Sequence, residues 1–148
     1  MMTRRRLLAT TAGLGAAAIA GVPALADPND VVAAQRALFG ERDIQEGRVE
    51  LTPPPISENG FSVPISIEVD SPMTEDDHVT RIALFSPRNP LPNVATFHLG
   101  PRAGRARVET RIRLGGTQAV TAVAEMSDGS LWSGSRETVV TLAACVVL

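Results

Sequence analysis

Lysine and tyrosine are absent from this sequence of 148 residues, cysteine and tryptophan occur once each, and histidine occurs twice. Each shortage removes a class of function. With His78 and His98 as the only imidazoles and Cys145 as the only thiol, few side chains can exchange protons or bind metal near neutral pH. Most enzyme mechanisms lack their parts. All 14 basic residues are arginines and 16 carboxylates oppose them, so a formal charge of −2 leaves no cationic excess to hold a phosphate backbone. Nucleic acid is not an expected partner. A length of 148 residues fits one domain and excludes a multidomain enzyme, while an apolar content of 44% suffices for an ordinary core.

The first 26 residues have the pattern of an export signal. Arg4, Arg5 and Arg6 precede an Ala/Leu/Gly run from Leu7 to Ala20, and Ala24-Leu25-Ala26 fits a small-x-small cleavage site. Paired arginines ahead of a weakly hydrophobic run resemble a twin-arginine signal, a route that carries folded passengers. The expectation is a periplasmic protein cleaved after Ala26, with no membrane anchor, because the run is shorter than the ~20 residues that span a bilayer. Removing residues 1–26 takes away three arginines and no carboxylate, and leaves a clearly acidic chain. One thiol cannot close an internal disulfide in an oxidising compartment, so Cys145 is buried, bonded to another molecule, or reactive.

In the mature chain, Val31, Ala34 and Leu38 recur at helical spacing before Gly40 and predict one short helix, about 30–38. Pro53-Pro54-Pro55 forbids helix, and Val49 to Thr52 reads as a short edge strand. Past Gly60 the apolar period changes to two. Val63, Ile65, Ile67 and Val69 alternate with polar residues, and Val79–Ser86, Val94–Leu99, Thr117–Met126 and Leu131–Leu142 read as further strands. Ser127-Asp128-Gly129-Ser130 is a hairpin signal. In the segment 105–114, Ala106, Val108, Thr110, Ile112 and Leu114 face one way, and Arg105, Arg107, Glu109, Arg111 and Arg113 face the other. Six or seven strands with short turns predict an all-β, immunoglobulin-like antiparallel β-sandwich over 27–142, with a barrel as the competing architecture. Phe61, Phe85, Phe97 and Trp132 are read as core packing.

The end of the chain is the unusual part. Residues 138–142 should complete the last strand, and Ala143, Ala144, Cys145, Val146, Val147 and Leu148 follow as a terminal arm. A sulfur near a chain end can be presented to several partners in turn, which suits a covalent carrier. The competing reading is a small hydrophobe packed in an extended last strand, since free cysteine is among the most buried residue types.

The segments Asn59-Gly60-Phe61-Ser62-Val63-Pro64-Ile65, Ser71-Pro72-Met73-Thr74, Ile82 to Pro90, Thr110 to Leu114 and Met126 to Trp132 resemble the SoxY family of sulfur carriers in bacterial thiosulfate oxidation. The leader, the short helix and the terminal cysteine match that family in order. The resemblance implies an immunoglobulin-like, noncatalytic subunit that pairs with a SoxZ-like partner and holds sulfur intermediates on Cys145. It further implies loading by a haem-containing enzyme, release of sulfate by a hydrolase, and a sulfur or sulfite dehydrogenase as a possible third partner. No cofactor is expected on the carrier itself. The family's arm reads Gly-Gly-Cys-Gly-Gly, whereas Cys145 is flanked here by Ala143, Ala144, Val146 and Val147, a stiffer arm like that of a related subset with Ala-Ala-Cys endings. A disulfide-type bond is stable enough to travel yet exchangeable, which is what carriage requires.

Other features are weaker. The stripe of Arg105, Arg107, Arg111 and Arg113 could draw an anionic adduct or an acidic partner, although an alternating charged strand is ordinarily a solvated face. His78 and His98 lack the companions and spacing of a metal site, so no metal is expected. No histidine or arginine adjoins Cys145 in sequence, so activation of its thiol is expected to come from a partner. The alternative function is a noncatalytic assembly module, in which the apolar tail from Val139 to Leu148 docks on a partner and Cys145 merely packs there.

Overall fold

A computed structural model describes residues 28–144. The expected signal segment 1–26 with its cleavage site, and Cys145, Val146, Val147 and Leu148, lie outside the described residues. Helix α1 spans Pro28–Phe39, starting on a proline whose missing N–H costs a first turn nothing. It ends at Gly40, where φ is +77° and the N–H bonds the Arg36 carbonyl at 2.8 Å, so left-handed backbone closes the helix.

Nine strands follow: β1 Ile44–Glu46, β2 Val49–Thr52, β3 Ile56–Asn59, β4 Val63–Val69, β5 Val79–Phe85, β6 Asn93–His98, β7 Arg107–Ile112, β8 Gln118–Met126 and β9 Leu131–Leu142. A short 3₁₀ turn, Pro101–Ala103, links β6 to β7. One sheet runs β1-β9-β8-β5-β6 with β3 also paired to β9, and the other runs β2-β4-β7. This is the expected sandwich, with a helix at its N-terminal side. Two strands were not expected, and both run parallel to β9 rather than antiparallel. The reason is topological: the chain leaves β1, crosses to the second sheet as β2, and returns as β3 farther along the same side of β9. Gly134 lies at the crossing, where a Cβ would collide with the Val49 carbonyl oxygen.

Alternation produces the core between the sheets. Val63, Ile65, Ile67 and Val69 of β4 meet Val79, Ile82 and Leu84 of β5 and Val120, Ala122, Ala124 and Met126 of β8. The second half of β5, Ile82 to Phe85, is a continuous apolar run because its other face is covered too: Ala83 and Phe85, with Val123 and Leu131, pack under Phe39, Val31, Ala34 and Leu38 of the helix. Arg81 places its guanidinium 4.7 Å over the Phe39 ring and pairs with Glu125 at 2.7 Å, while Arg42 pairs with the same carboxylate at 2.6 Å. Burial pushes the Glu125 carboxyl up, but the hydrogen bonds and charges of Arg42 and Arg81 together outweigh it and hold its pKa below the ordinary value.

The aromatic expectation holds for three of four residues. Phe85 is fully buried, and Phe97 and Trp132 pack at the core margin, Trp132 under the Arg48 guanidinium at 5.5 Å. Phe61 is the correction: it is 50% exposed, in the turn ahead of β4 where its backbone N–H donates to the Asn59 side chain at 2.8 Å, rather than in the core. In β7 the alternation is as expected, with Ala106, Ile112 and Leu114 buried and Arg105, Arg107, Arg111 and Arg113 exposed.

Candidate functional site: the root of the C-terminal arm

Three backbone segments converge where β9 ends. The Gly60 N–H donates to the Leu142 carbonyl at 2.7 Å, Leu114 donates to the Gly60 carbonyl at 2.9 Å, and Ala144 donates to the Leu114 carbonyl at 3.0 Å. Space, not φ, requires the glycine. A Cβ at position 60 would sit 2.5 Å from the Leu114 oxygen and 3.0 Å from both the Ala144 nitrogen and the Leu142 oxygen, all of them backbone atoms. The chain is therefore tethered as far as Ala144, the residue before Cys145. Ala143 and Ala144, expected as the first part of an arm, are half-buried and belong to this clamp.

A buried polar frame fixes the surfaces to which the clamp attaches. The Ser86 hydroxyl donates to the Gln118 side-chain carbonyl at 2.5 Å, the Arg88 N–H donates to the same oxygen at 3.0 Å, and the Gln118 amide donates to the Gly116 carbonyl at 3.1 Å. Asn89 completes the frame, donating to the Arg113 carbonyl and accepting from the Gly115 N–H, each at 2.8 Å. Every polar atom of these two amides that the bonds engage is drawn from the segments 86–89 and 113–118, so the loop carrying Leu114 cannot drift from the sheet. On the far side, Thr138 donates to the Pro54 carbonyl at 2.6 Å and Val139 donates to Pro55 at 3.0 Å, while Thr117 accepts the Val140 N–H at 3.0 Å. The proline run thus straps the last strand.

Exposed apolar residues lie near the end of β9. Ile56 and Val139 are register partners, 66% and 43% exposed, and Phe61 and Leu142 adjoin Gly60 and the clamp with 50% and 57% exposure. In the sequence Gly60 marks only the point where the apolar period changes, and Asn89, Thr117 and Gln118 do not stand out as site residues. Their signal was slight, because a buried amide looks in sequence like any loop polar residue.

The arginine stripe divides. Arg105 pairs with Glu68 at 2.9 Å, and Arg107 pairs with Glu68 at 3.8 Å and with Glu109, whose hydrogen bond and charge raise the Arg107 pKa. Among the described residues, Arg111 hydrogen-bonds the Ser62 hydroxyl at 3.5 Å and has no carboxylate partner. His78 lies in a loop with Nδ1 3.0 Å from the Thr74 carbonyl, and His98 ends β6 opposite Arg81. Among the described residues, no group of three or more His, Cys, Asp or Glu side chains gathers as metal ligands would.

Comparison with known proteins places this frame. No curated protein matches the chain. Among solved structures, the sulfur carrier protein SoxY from Chlorobium limicola f thiosulfatophilum is similar at 32% identity and a TM-score of 0.65, over 77% of this chain and 98% of that one. Two superoxide reductases share the fold alone. The neelaredoxin from Ignicoccus hospitalis is 15% identical with a TM-score of 0.55, over 78% of this chain and 94% of its own. The enzyme from Nanoarchaeum equitans is 17% identical with a TM-score of 0.54, over 64% of this chain and 99% of its own. The family model described as sulfur oxidation protein SoxY matches residues 35–145, from within α1 to the cysteine itself, and the chain belongs to the SoxY family.

Proposed function

We propose that this protein is a periplasmic sulfur carrier, without catalytic machinery of its own, that holds sulfur intermediates covalently on Cys145. The observation that carries the reading is the clamp. Gly60 and Leu114 fix the backbone up to Ala144, so the chain's only thiol follows directly on a rigid platform. Such a platform presents a defined group to enzymes that must each find it. A thiolate accepts a sulfur atom by forming an S–S bond, and when the incoming sulfur is itself a thiolate two electrons must leave to an oxidising partner. The carrier needs no cofactor for its share of that step.

Loading and unloading then fall to other periplasmic proteins, for which the haem-containing, hydrolytic and dehydrogenase partners of the family are the candidates. A SoxZ-like subunit is the expected heterodimer partner. Replacing Cys145 with serine should abolish oxidation of reduced sulfur compounds by the reconstituted system while leaving fold and partner binding intact; unchanged oxidation would refute carriage by this residue.

A second reading rests on the exposed apolar side chains Ile56, Phe61, Val139 and Leu142 near the end of β9. Ile56 and Val139 are register partners, and an exposed apolar pair at the edge of the sheet suits a protein contact, as in an assembly module whose tail docks on a partner. Labelling separates the two. A thiol that reacts in the folded complex favours carriage, and one that reacts only after denaturation favours packing.

A further inference from the structure

We propose that Asn59 is a self-modification site gated by the clamp: the closed clamp protects the peptide between Asn59 and Gly60, and lifting the end of β9 lets Asn59 deamidate to aspartate and isoaspartate. The residue after each of the four asparagines, Asn29, Asn59, Asn89 and Asn93, decides its susceptibility. Deamidation begins when the following backbone nitrogen attacks the side-chain Cγ, so Pro90, with no N–H, excludes it at Asn89, and the β-branched Val94 hinders it at Asn93. Asp30 follows Asn29 with a side chain of its own. Gly60 gives Asn59 the least hindered attacking nitrogen of the four. The clamp itself imposes this pairing, because no Cβ fits at position 60 between the Leu114 oxygen, the Leu142 oxygen and the Ala144 nitrogen.

Hydrogen bonds prepare one reactant and withhold the other. Asn59 is exposed and its Oδ1 accepts the Phe61 N–H at 2.8 Å, so an Asx turn folds the side chain over the peptide that would attack it. That N–H is aimed at the oxygen on which negative charge gathers when Cγ becomes tetrahedral. The electrophile is thus in place. The nucleophile is held: the Gly60 N–H donates to the Leu142 carbonyl at 2.7 Å, the Gly60 carbonyl accepts the Leu114 N–H at 2.9 Å, and the Ser57 hydroxyl donates to the Asn59 carbonyl at 2.9 Å. To attack, the Gly60 nitrogen must lose its proton and turn toward Cγ, and a peptide fixed on both sides does neither. Local opening at the end of β9 releases it.

Water is the only added reactant. The Gly60 nitrogen bonds to Cγ, the Cγ–Nδ2 bond breaks, and ammonia leaves with the proton from Gly60; water then opens the succinimide at either carbonyl, and no electrons are exchanged. Hydrolysis to aspartate keeps the main chain as it was. Hydrolysis to isoaspartate routes the main chain through Cβ and lengthens it by one carbon–carbon bond, about 1.5 Å, at the clamp. Backbone atoms 2.5 to 3.0 Å from the position of a Cβ at residue 60 leave no room for that, so the root of the arm stays open once isoaspartate has formed.

The test incubates the purified full chain and a free peptide of residues 55–63 in mildly alkaline buffer and follows aspartate and isoaspartate at position 59 by peptide mapping. The full chain should deamidate at least about tenfold more slowly than the peptide, and N89A, which loosens the loop carrying Leu114, should speed it at least about threefold. A urea series below the unfolding midpoint makes the test independent of that variant: deamidation and hydrogen exchange of the Gly60 amide should rise together. Separated isoaspartyl chain should show faster exchange at Leu114 and Ala144 than the parent. A folded chain that deamidates at the peptide's rate overturns the gate, and so does a rate that stays constant while Gly60 exchange quickens. Isoaspartyl chain with the Leu114 and Ala144 amides still protected overturns the permanent opening.

Discussion

Substituting Gly60 with alanine should detach the arm's root from the body of the protein. The added Cβ meets the Leu114 oxygen at 2.5 Å and two more backbone atoms at 3.0 Å, and none of these belongs to a flexible side chain that could swing aside. Relief requires separating strands, at the expense of the hydrogen bonds from Gly60 to Leu142, from Leu114 to Gly60 and from Ala144 to Leu114. At about 0.5–1.5 kcal/mol net for each bond, the loss is about 2–4 kcal/mol. For a domain of this size that is roughly 6–15 °C in Tm. Gly40→Ala is the control, because position 40 has open space around it and a φ of +77°, so its cost is conformational only, about 1 kcal/mol. Thermal unfolding of both variants, with amide exchange at Leu114 and Ala144, decides the matter. A Gly60→Ala protein that melts within about 2 °C of the parent, with both amides still protected, would refute the clamp.

The remaining predictions concern the frame, the helix tether and the exposed apolar side chains. Asn89→Ala removes two hydrogen bonds and leaves the buried Gly115 N–H without its acceptor, so chemical denaturation should show a loss of about 2–3 kcal/mol. Glu125 has a folded pKa below its unfolded value of about 4.5, so the stability its carboxylate contributes is present above that pH and lost as pH falls through the folded pKa. Glu125→Gln should therefore lower Tm at pH 7 and flatten the acid limb of the Tm–pH curve; an acid limb identical to the parent's would contradict the Arg42–Glu125–Arg81 account. Phe61→Ser and Ile56→Ser should leave Tm nearly unchanged, since both side chains are exposed, yet weaken the proposed heterodimer with a SoxZ-like subunit about tenfold or more by sedimentation or calorimetry; unchanged affinity would refute a contact through these residues.

Much of the fold was legible because burial in a half-covered strand leaves a period of two. The alternation from Ser62 to Asp70 contains β4, and that of 105–114 contains β7 with its faces correctly assigned, since one face meets the core and the other meets water. The hairpin at Ser127 to Ser130 was legible in its chemistry: Asp128 accepts the Ser130 N–H and hydroxyl, which hold its carboxyl below the usual range, and Gly129 supplies a φ of +85°. Strands β1 and β3 were not legible. Each is three or four residues long with little buried surface, and each forms only because β9 offers an edge formed by residues far away in sequence. The site divides in the same way. Cys145 stood out by its rarity, but the clamp depends on Gly60 meeting Leu114 and Ala144, a three-way contact that spacing along one chain does not encode. The split of the arginine stripe was hidden for the same reason, because Glu68 approaches Arg105 and Arg107 across strands.

The central claim is that Cys145 bears the cargo. The most direct measurement is the intact mass of the C-terminal peptide, isolated without reductant from cells oxidising a reduced sulfur compound and compared with a reductant-treated aliquot. The account predicts a reductant-labile mass increment of sulfur or a sulfur oxyanion on Cys145. A bare thiol under every growth condition would contradict it.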